Sequence, residues 1–158
     1  MEKHDISLPI EQRYLESLLQ QALDAPDAHI KDWSVEKITS GFEFNSTIYH
    51  LQSMVKVEGK DQAWSLIIKA VPPNAQSIDP QGFRFWKREM QAYQSGLLQD
   101  LPGGVTAPRC YNVSENTDGS LWLWLEDIKS DKPHPWSIEQ YARVANHLGQ
   151  FNGAYLAG

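Results

Sequence analysis

The sequence predicts an α+β fold: a five-stranded antiparallel sheet with one crossing helix, an N-terminal helix before it and a C-terminal helix after it. Three observations carry this. Two turn signals, Glu58-Gly59-Lys60-Asp61 and Asp118-Gly119, each join apolar runs of strand length, and hairpins so closely spaced make the sheet antiparallel. The run Ala63–Val71 is short, bulky and rich in β-branched residues, and Pro72-Pro73 stops it, as expected of a buried strand. Between the hairpins, Phe83, Trp86, Met90, Tyr93 and Leu97 recur at spacings of three and four, which predicts an amphipathic helix over Phe83–Leu98.

The elements follow in order. Pro9 to about Ala25 reads as a helix with Leu15, Leu18, Leu19 and Ala22 on one face, and Asp24-Ala-Pro-Asp breaks it. Trp33–Thr39 and Thr47–Val57 read as strands joined by a turn over Ser40–Ser46. The strand Ala63–Val71 comes next, then a loop over Pro72–Gly82 and the helix Phe83–Leu98. Pro108–Ser114 and Ser120–Ile128 complete the sheet; Leu121–Leu125 is continuously apolar, so that strand is expected to be buried on both faces. Lys129–Trp136 reads as a linker. Ser137 can cap a last helix with Ile138, Tyr141, Val144, Leu148, Phe151 and Tyr155 at helical spacing. The expected organisation is an N-terminal helical segment (1–30), a sheet lobe (31–128), and a linker with one further helix (129–158).

Composition narrows the function. The chain has 158 residues, 41% of them hydrophobic, with 6 Trp, 6 Tyr and 5 Phe, so it can build a core and is not a disordered chain. A net charge of −6 with no basic cluster beyond Arg84–Arg88 argues against nucleic-acid binding. The single Cys110 permits no internal disulfide and reads as core packing. No apolar stretch approaches the roughly 18 residues of a membrane span. The first residues lack the apolar core of a signal peptide, so a cytoplasmic location is expected. Asn45-Ser-Thr and Asn112-Val-Ser are then chance matches to a glycosylation pattern.

One cation stands inside the Ala63–Val71 run. Alternation puts Ile67, Lys69 and Val71 on one face and Trp64, Leu66, Ile68 and Ala70 on the other. A lysine held in a dry strand costs desolvation energy unless an anion or polar cavity meets it; the alternative is an edge-strand lysine that snorkels to water. Glu89, the one carboxylate of the next helix, borders its apolar stripe and can be aimed at Lys69, or can pair in solvent with Arg84, Lys87 or Arg88. Ser40–Ser46 can offer backbone N–H groups to phosphates, or be an ordinary turn. Glu126-Asp127 sits where the chain leaves the sheet. Its backbone can meet an adenine edge, and its carboxylates can be structural or a metal pair.

The ordered set Ser-Gly-Phe-Glu-Phe-Asn-Ser-Thr-Ile-Tyr (40–49), Ile-Ile-Lys (67–69), Glu89 and Leu-Trp-Leu-Glu-Asp-Ile (123–128) resembles the N-terminal, ATP-binding lobe of the aminoglycoside phosphotransferase and choline kinase-like family, which shares the protein-kinase fold. The resemblance covers about residues 33–155. It departs from the protein-kinase signature in having no Gly-x-Gly-x-x-Gly and no Val-Ala-Ile-Lys. It implies that Lys69 holds the α- and β-phosphates of ATP and that Glu89 holds Lys69. It implies a phosphate-covering loop from Ser40, Gly41, Phe42, Asn45 and Ser46. It places Ile67 against the adenine, the Leu125, Glu126 and Asp127 backbone on its edge, and Trp124 at the back of the pocket.

The resemblance also implies a catalytic Asp, usually in His-Gly-Asp, and a metal-binding Asp, and no Asp follows Asp131. No catalytic or metal residue is therefore assigned, and Mg²⁺ is expected only with a further lobe. The expectation is a nucleotide-binding lobe of a small-molecule phosphotransferase acting on an alcohol acceptor, inactive alone and cut from a longer chain. The last helix, with no partner for its stripe, is expected to give a dimer or an exchanged terminal helix. The competing expectations are a non-catalytic interaction module with a degenerate lobe, and a small ligand-binding domain unrelated to kinases. Neither the acceptor nor the choice of ATP over GTP is legible in this sequence.

Overall fold

A computed structural model describes residues 8–38, 46–74, 78–82, 84–129 and 135–156. The chain divides into two compact units, one of residues 1–86 with 109–127 and one of 87–108 with 128–158. The first holds α1 (Gln12–Leu23), β1 (His29–Ile38), β2 (Thr47–Val57), β3 (Lys60–Val71), β4 (Cys110–Glu115) and β5 (Leu121–Glu126). The second holds α2 (Arg88–Gln94), a 3₁₀ turn at Pro102–Gly104 and α3 (Ile138–Leu156). Among the described residues, no helix is long and apolar enough to cross a membrane.

The five strands form one antiparallel sheet in the order β1-β2-β3-β5-β4. Residues directly opposed in such a ladder share a face. Val35 opposes Leu51, Leu51 opposes Leu66, and Ile68 opposes Trp124. These side chains meet Leu15, Leu18 and Leu19 of α1 in the core, all of them at most 3% exposed. Each such aliphatic side chain contributes about 1.5–3 kcal/mol by leaving water. The stripe expected from the leucine spacing is thus the buried one, with Ala22 half-buried beside it.

Several boundaries differ from expectation, each for a local reason. The first helix starts at Gln12 rather than Pro9, because Glu11 is extended (ψ 131) and serves as the N-cap. It ends at Asp24, whose left-handed backbone (φ 51) lets the N–H groups of Asp24 and Ala25 both reach the Gln20 carbonyl. β1 begins at His29, ahead of Trp33. Gln12 Nε2 donates to the Ile30 carbonyl (3.3 Å) and the Ile30 N–H donates to Glu16 Oε1 (3.2 Å), so α1 covers the edge of this longer strand. β3 begins at Lys60 because Glu58 (φ 48) and Gly59 (φ 78) alone make the turn, the positive-φ pair of a type I′ hairpin. β4 begins at Cys110, not Pro108, since proline has no N–H for the ladder. Cys110 itself is only partly buried, at the start of an edge strand, which corrects its assignment to the core.

The helix expected over Phe83–Leu98 is the seven-residue α2. A turn through Gly82, with its N–H on the Asp79 carbonyl, precedes it, and Gly96 (φ 77) ends it after the Ser95 N–H reaches the Gln91 carbonyl. Leu97 lies beyond the helix and is 52% exposed.

The β4–β5 hairpin closes on Asp118-Gly119 as the sequence indicated. The Gly119 N–H donates to Asn116 O (2.9 Å), the Asn116 N–H to Ser120 O (2.9 Å), and Gly119 takes φ 79. Asp118 Oδ1 accepts both the Ser120 hydroxyl (2.6 Å) and its N–H (2.9 Å), and these two bonds hold the carboxyl below its usual value. A depressed folded-state value stabilises above the unfolded value and is lost as pH falls through the folded one. Asp118→Asn is therefore expected to lower the urea midpoint at neutral pH. That deficit should shrink on acidification to about pH 2; a deficit independent of pH would contradict the assignment.

In the second unit Ser137 caps α3 as expected. The Gln140 N–H donates to Ser137 Oγ (3.3 Å) and the Ser137 N–H to Gln140 Oε1 (2.7 Å), a reciprocal capping box. The 3₁₀ turn packs on this helix through Gly103 and Gly104, and His147 Nδ1 donates to the Gly103 carbonyl (2.6 Å). A Cβ on Gly103, which has φ 74, would stand 2.8 Å from the Phe151 backbone nitrogen. Gly103→Ala is expected to cost roughly 2 kcal/mol, from the left-handed backbone and the clash together. A melt of α3 helicity measures it; an unchanged midpoint would contradict the packing. The predicted apolar stripe of α3 lies open: Ile138, Tyr141, Val144, Leu148 and Tyr155 are exposed, and Phe151 is half-buried.

Candidate functional site

The sheet face opposite the α1 core carries the candidate site. Register builds it in rows. Ile48 of β2, Lys69 of β3 and Leu123 of β5 make one; His50, Ile67 and Leu125 make the next. Leu123 and Leu125 are buried, and Lys69 and Ile67 are half-buried. The expectation that β5 is buried on both faces is met, with Trp124 buried on the other side and Trp122 half-buried. A lysine thus stands in mid-sheet, its backbone paired between Ile48 and Leu123.

Next to those rows lies a polar network that the sequence did not flag. Ser65 Oγ donates to Asp127 Oδ2 at 2.6 Å, and His50 Nε2 donates to the same oxygen at 3.0 Å. His50 Nδ1 lies 3.3 Å from Glu36 Oε1. The Asp127 side chain is 15% exposed and that of His50 18%, so the bonds are largely shielded from water. Glu36, His50 and Ser65 carried no motif. Their common face follows once the β1–β2, β2–β3 and β3–β5 registers are applied to positions 36, 50, 65 and 127. The serine hydroxyl is bonded to the carboxylate rather than the imidazole, so the set lacks the serine–base contact of an activated nucleophile. Among the described residues no group of three or more His, Cys, Asp or Glu side chains is arranged to hold a metal.

Glu126 and Asp127 diverge. Glu126 Oε2 accepts the Arg109 N–H (3.0 Å), while Asp127 faces Ser65 and His50. Each carboxylate therefore serves a separate structural bond instead of forming a metal pair. The Glu126 N–H donates to the Arg109 carbonyl (2.8 Å), so that backbone donor is already used.

Of the site residues expected from sequence, Lys69, Ile67 and Leu125 come together on one face. Trp124 does not join them: strand alternation turns it to the α1 side, where its ring meets Tyr14 and its Nε1–H donates to Ser114 Oγ (3.1 Å). It therefore does not back a pocket on the Lys69 face. Ser40, Gly41, Phe42 and Asn45 lie outside the described residues; Ser46 is half-buried just before β2. Glu89 is half-buried in the first turn of α2, in the second unit.

A concavity of about 280 Å³ opens on the α1 side between Pro9, Ile10, Glu11, Tyr14, Ser114, Asn116, Trp122 and Trp124. Asn112 Nδ2 donates to the Tyr14 hydroxyl (2.7 Å), which ties α1 to β4.

No family model, no curated protein sequence and no solved structure matches this chain.

Proposed function

We propose that the sheet unit is the nucleotide-binding half of an ATP-dependent phosphotransferase with a small alcohol acceptor, and that Lys69 is its phosphate ligand. The placement of Lys69 carries this: a half-buried lysine in the middle of β3, in register between Ile48 and Leu123, on the face not taken by the α1 core. An ammonium binds the oxygens of a polyphosphate through charge-assisted hydrogen bonds. Lysine on the third strand, followed in the chain by a helix bearing a carboxylate, is also the order of parts in kinase phosphate sites. In this proposal Ile67 and Leu125 supply apolar surface for the base, and Ser46 belongs to the phosphate-covering segment. Mg²⁺ would accompany the nucleotide, and no catalytic residue is assigned.

Equilibrium dialysis against a non-hydrolysable ATP analogue with Mg²⁺ tests the proposal. Saturable binding, weakened by competing ATP, is the expected result; none up to millimolar analogue would count against it.

The exposed apolar stripe of α3 favours a second reading, a protein-interaction module that dimerises through this helix. That module would show no nucleotide binding.

A further inference from the structure

The chain crosses between its two compact units after Trp86, at Pro108–Arg109 and at Asp127–Ile128. The last two crossings are tied down within the sheet unit. Arg109 and Glu126 exchange two hydrogen bonds, one from the Glu126 N–H to the Arg109 carbonyl (2.8 Å) and one from the Arg109 N–H to Glu126 Oε2 (3.0 Å). The β3–β5 ladder ends with Leu66 opposite Glu126. One residue further, no ladder pair remains, and side chains take over: Ser65 Oγ and His50 Nε2 both donate to Asp127 Oδ2 (2.6 and 3.0 Å). Glu36 lies against the other nitrogen of His50 (3.3 Å), so the tie reaches back to β1.

We infer that His50 and Ser65 are positioning residues that anchor Asp127 and so fix the backbone at the exit of β5, on which the base of the bound nucleotide would rest. The nucleotide half of this inference depends on the function proposed above; the anchor does not. Strand ends beyond their last ladder bond fray, and a frayed exit would let residues 126–128 sample many conformations. Two donors on one shielded carboxylate oxygen suppress that fraying. Their effect on ligand binding is then preorganisation, since the exit would otherwise have to be ordered on binding.

The test compares the full chain with Ser65→Ala, His50→Ala and Ser65→Thr. Amide exchange at Asp127 and Ile128 is expected to quicken about tenfold or more in both alanine variants, as loss of a charge-assisted bond implies. Exchange at Leu51 and Ile68, in the core of the sheet, should stay near wild type. The dissociation constant for the ATP analogue should rise about fivefold or more in the same variants. Ser65→Thr keeps the hydroxyl and should restore both. If His50→Ala unfolds the chain, Ser65→Ala, which removes one oxygen atom, decides.

Unchanged exchange at Asp127 and Ile128 overturns the anchor, as does acceleration spread evenly over the sheet. Faster exchange with unchanged nucleotide affinity overturns the positioning role. A wild-type chain that takes no nucleotide overturns the proposed function and the nucleotide half of this inference, and exchange then judges the anchor alone.

Discussion

Trp124→Ala should destabilise the chain by about 3–5 kcal/mol, the largest effect expected of any single truncation in the sheet unit. The ring is 2% exposed in the core beneath α1. Its centroid lies 5.1 Å from that of Tyr14, at 70°, and 5.8 Å from that of Trp122. Removing it forfeits the apolar transfer energy, opens a void between α1 and the sheet, and takes the indole donor from Ser114. Such a loss is a large share of the roughly 5–15 kcal/mol that holds a domain together. Urea unfolding followed by far-ultraviolet circular dichroism measures it. Trp124→Phe keeps most of the volume and should cost less, about 1–2 kcal/mol. A Trp124→Ala midpoint within error of wild type would mean that the α1 side of the sheet is not the packed core.

The second large effect falls on binding rather than stability. Lys69→Ala should weaken nucleotide binding at least about tenfold, equivalent to about 1.4 kcal/mol or more. Its unfolding free energy should move by less than about 1 kcal/mol, because the side chain is half-buried and the variant keeps the strand. Lys69→Arg should restore binding only in part, since a planar fork does not replace a compact ammonium in a slot flanked by Ile48 and Leu123. Equal affinity in wild type and Lys69→Ala would remove Lys69 from the site.

Much of the fold was legible because its signals are local. Leucines at helical spacing marked the buried side of α1, and Glu58-Gly59 and Asp118-Gly119 marked two hairpins that each fix the register of two strands. Ser137 announced the start of α3, where its side chain caps the Gln140 N–H. Limits of elements were less legible wherever a distant residue decides them: β1 reaches back to His29 because Gln12 and Glu16 of α1 meet its edge. The long helix around Glu89 shrank to seven residues because glycines on both sides, Gly82 and Gly96, turn the chain. Within the site, alternation placed Ile67 and Lys69 correctly. The same alternation, applied to Leu123-Trp124-Leu125, assigns Trp124 to the opposite face, and the pocket expected from sequence had overlooked it. His50 and Ser65 were silent because their partner Asp127 lies 77 and 62 positions away along the chain, and Glu36 joins them only through His50 once the strands pair.

The central claim is that the Lys69 face of the sheet takes a nucleotide, and chemical-shift mapping tests it most directly. With the ATP analogue and Mg²⁺ added to isotope-labelled chain, saturable shifts are predicted at Ile48, Ile67, Lys69 and Leu125, while the Trp124 indole and the amides of α1 stay in place. No saturable shift, or shifts confined to the groove between Glu11, Tyr14 and Trp122, would contradict it.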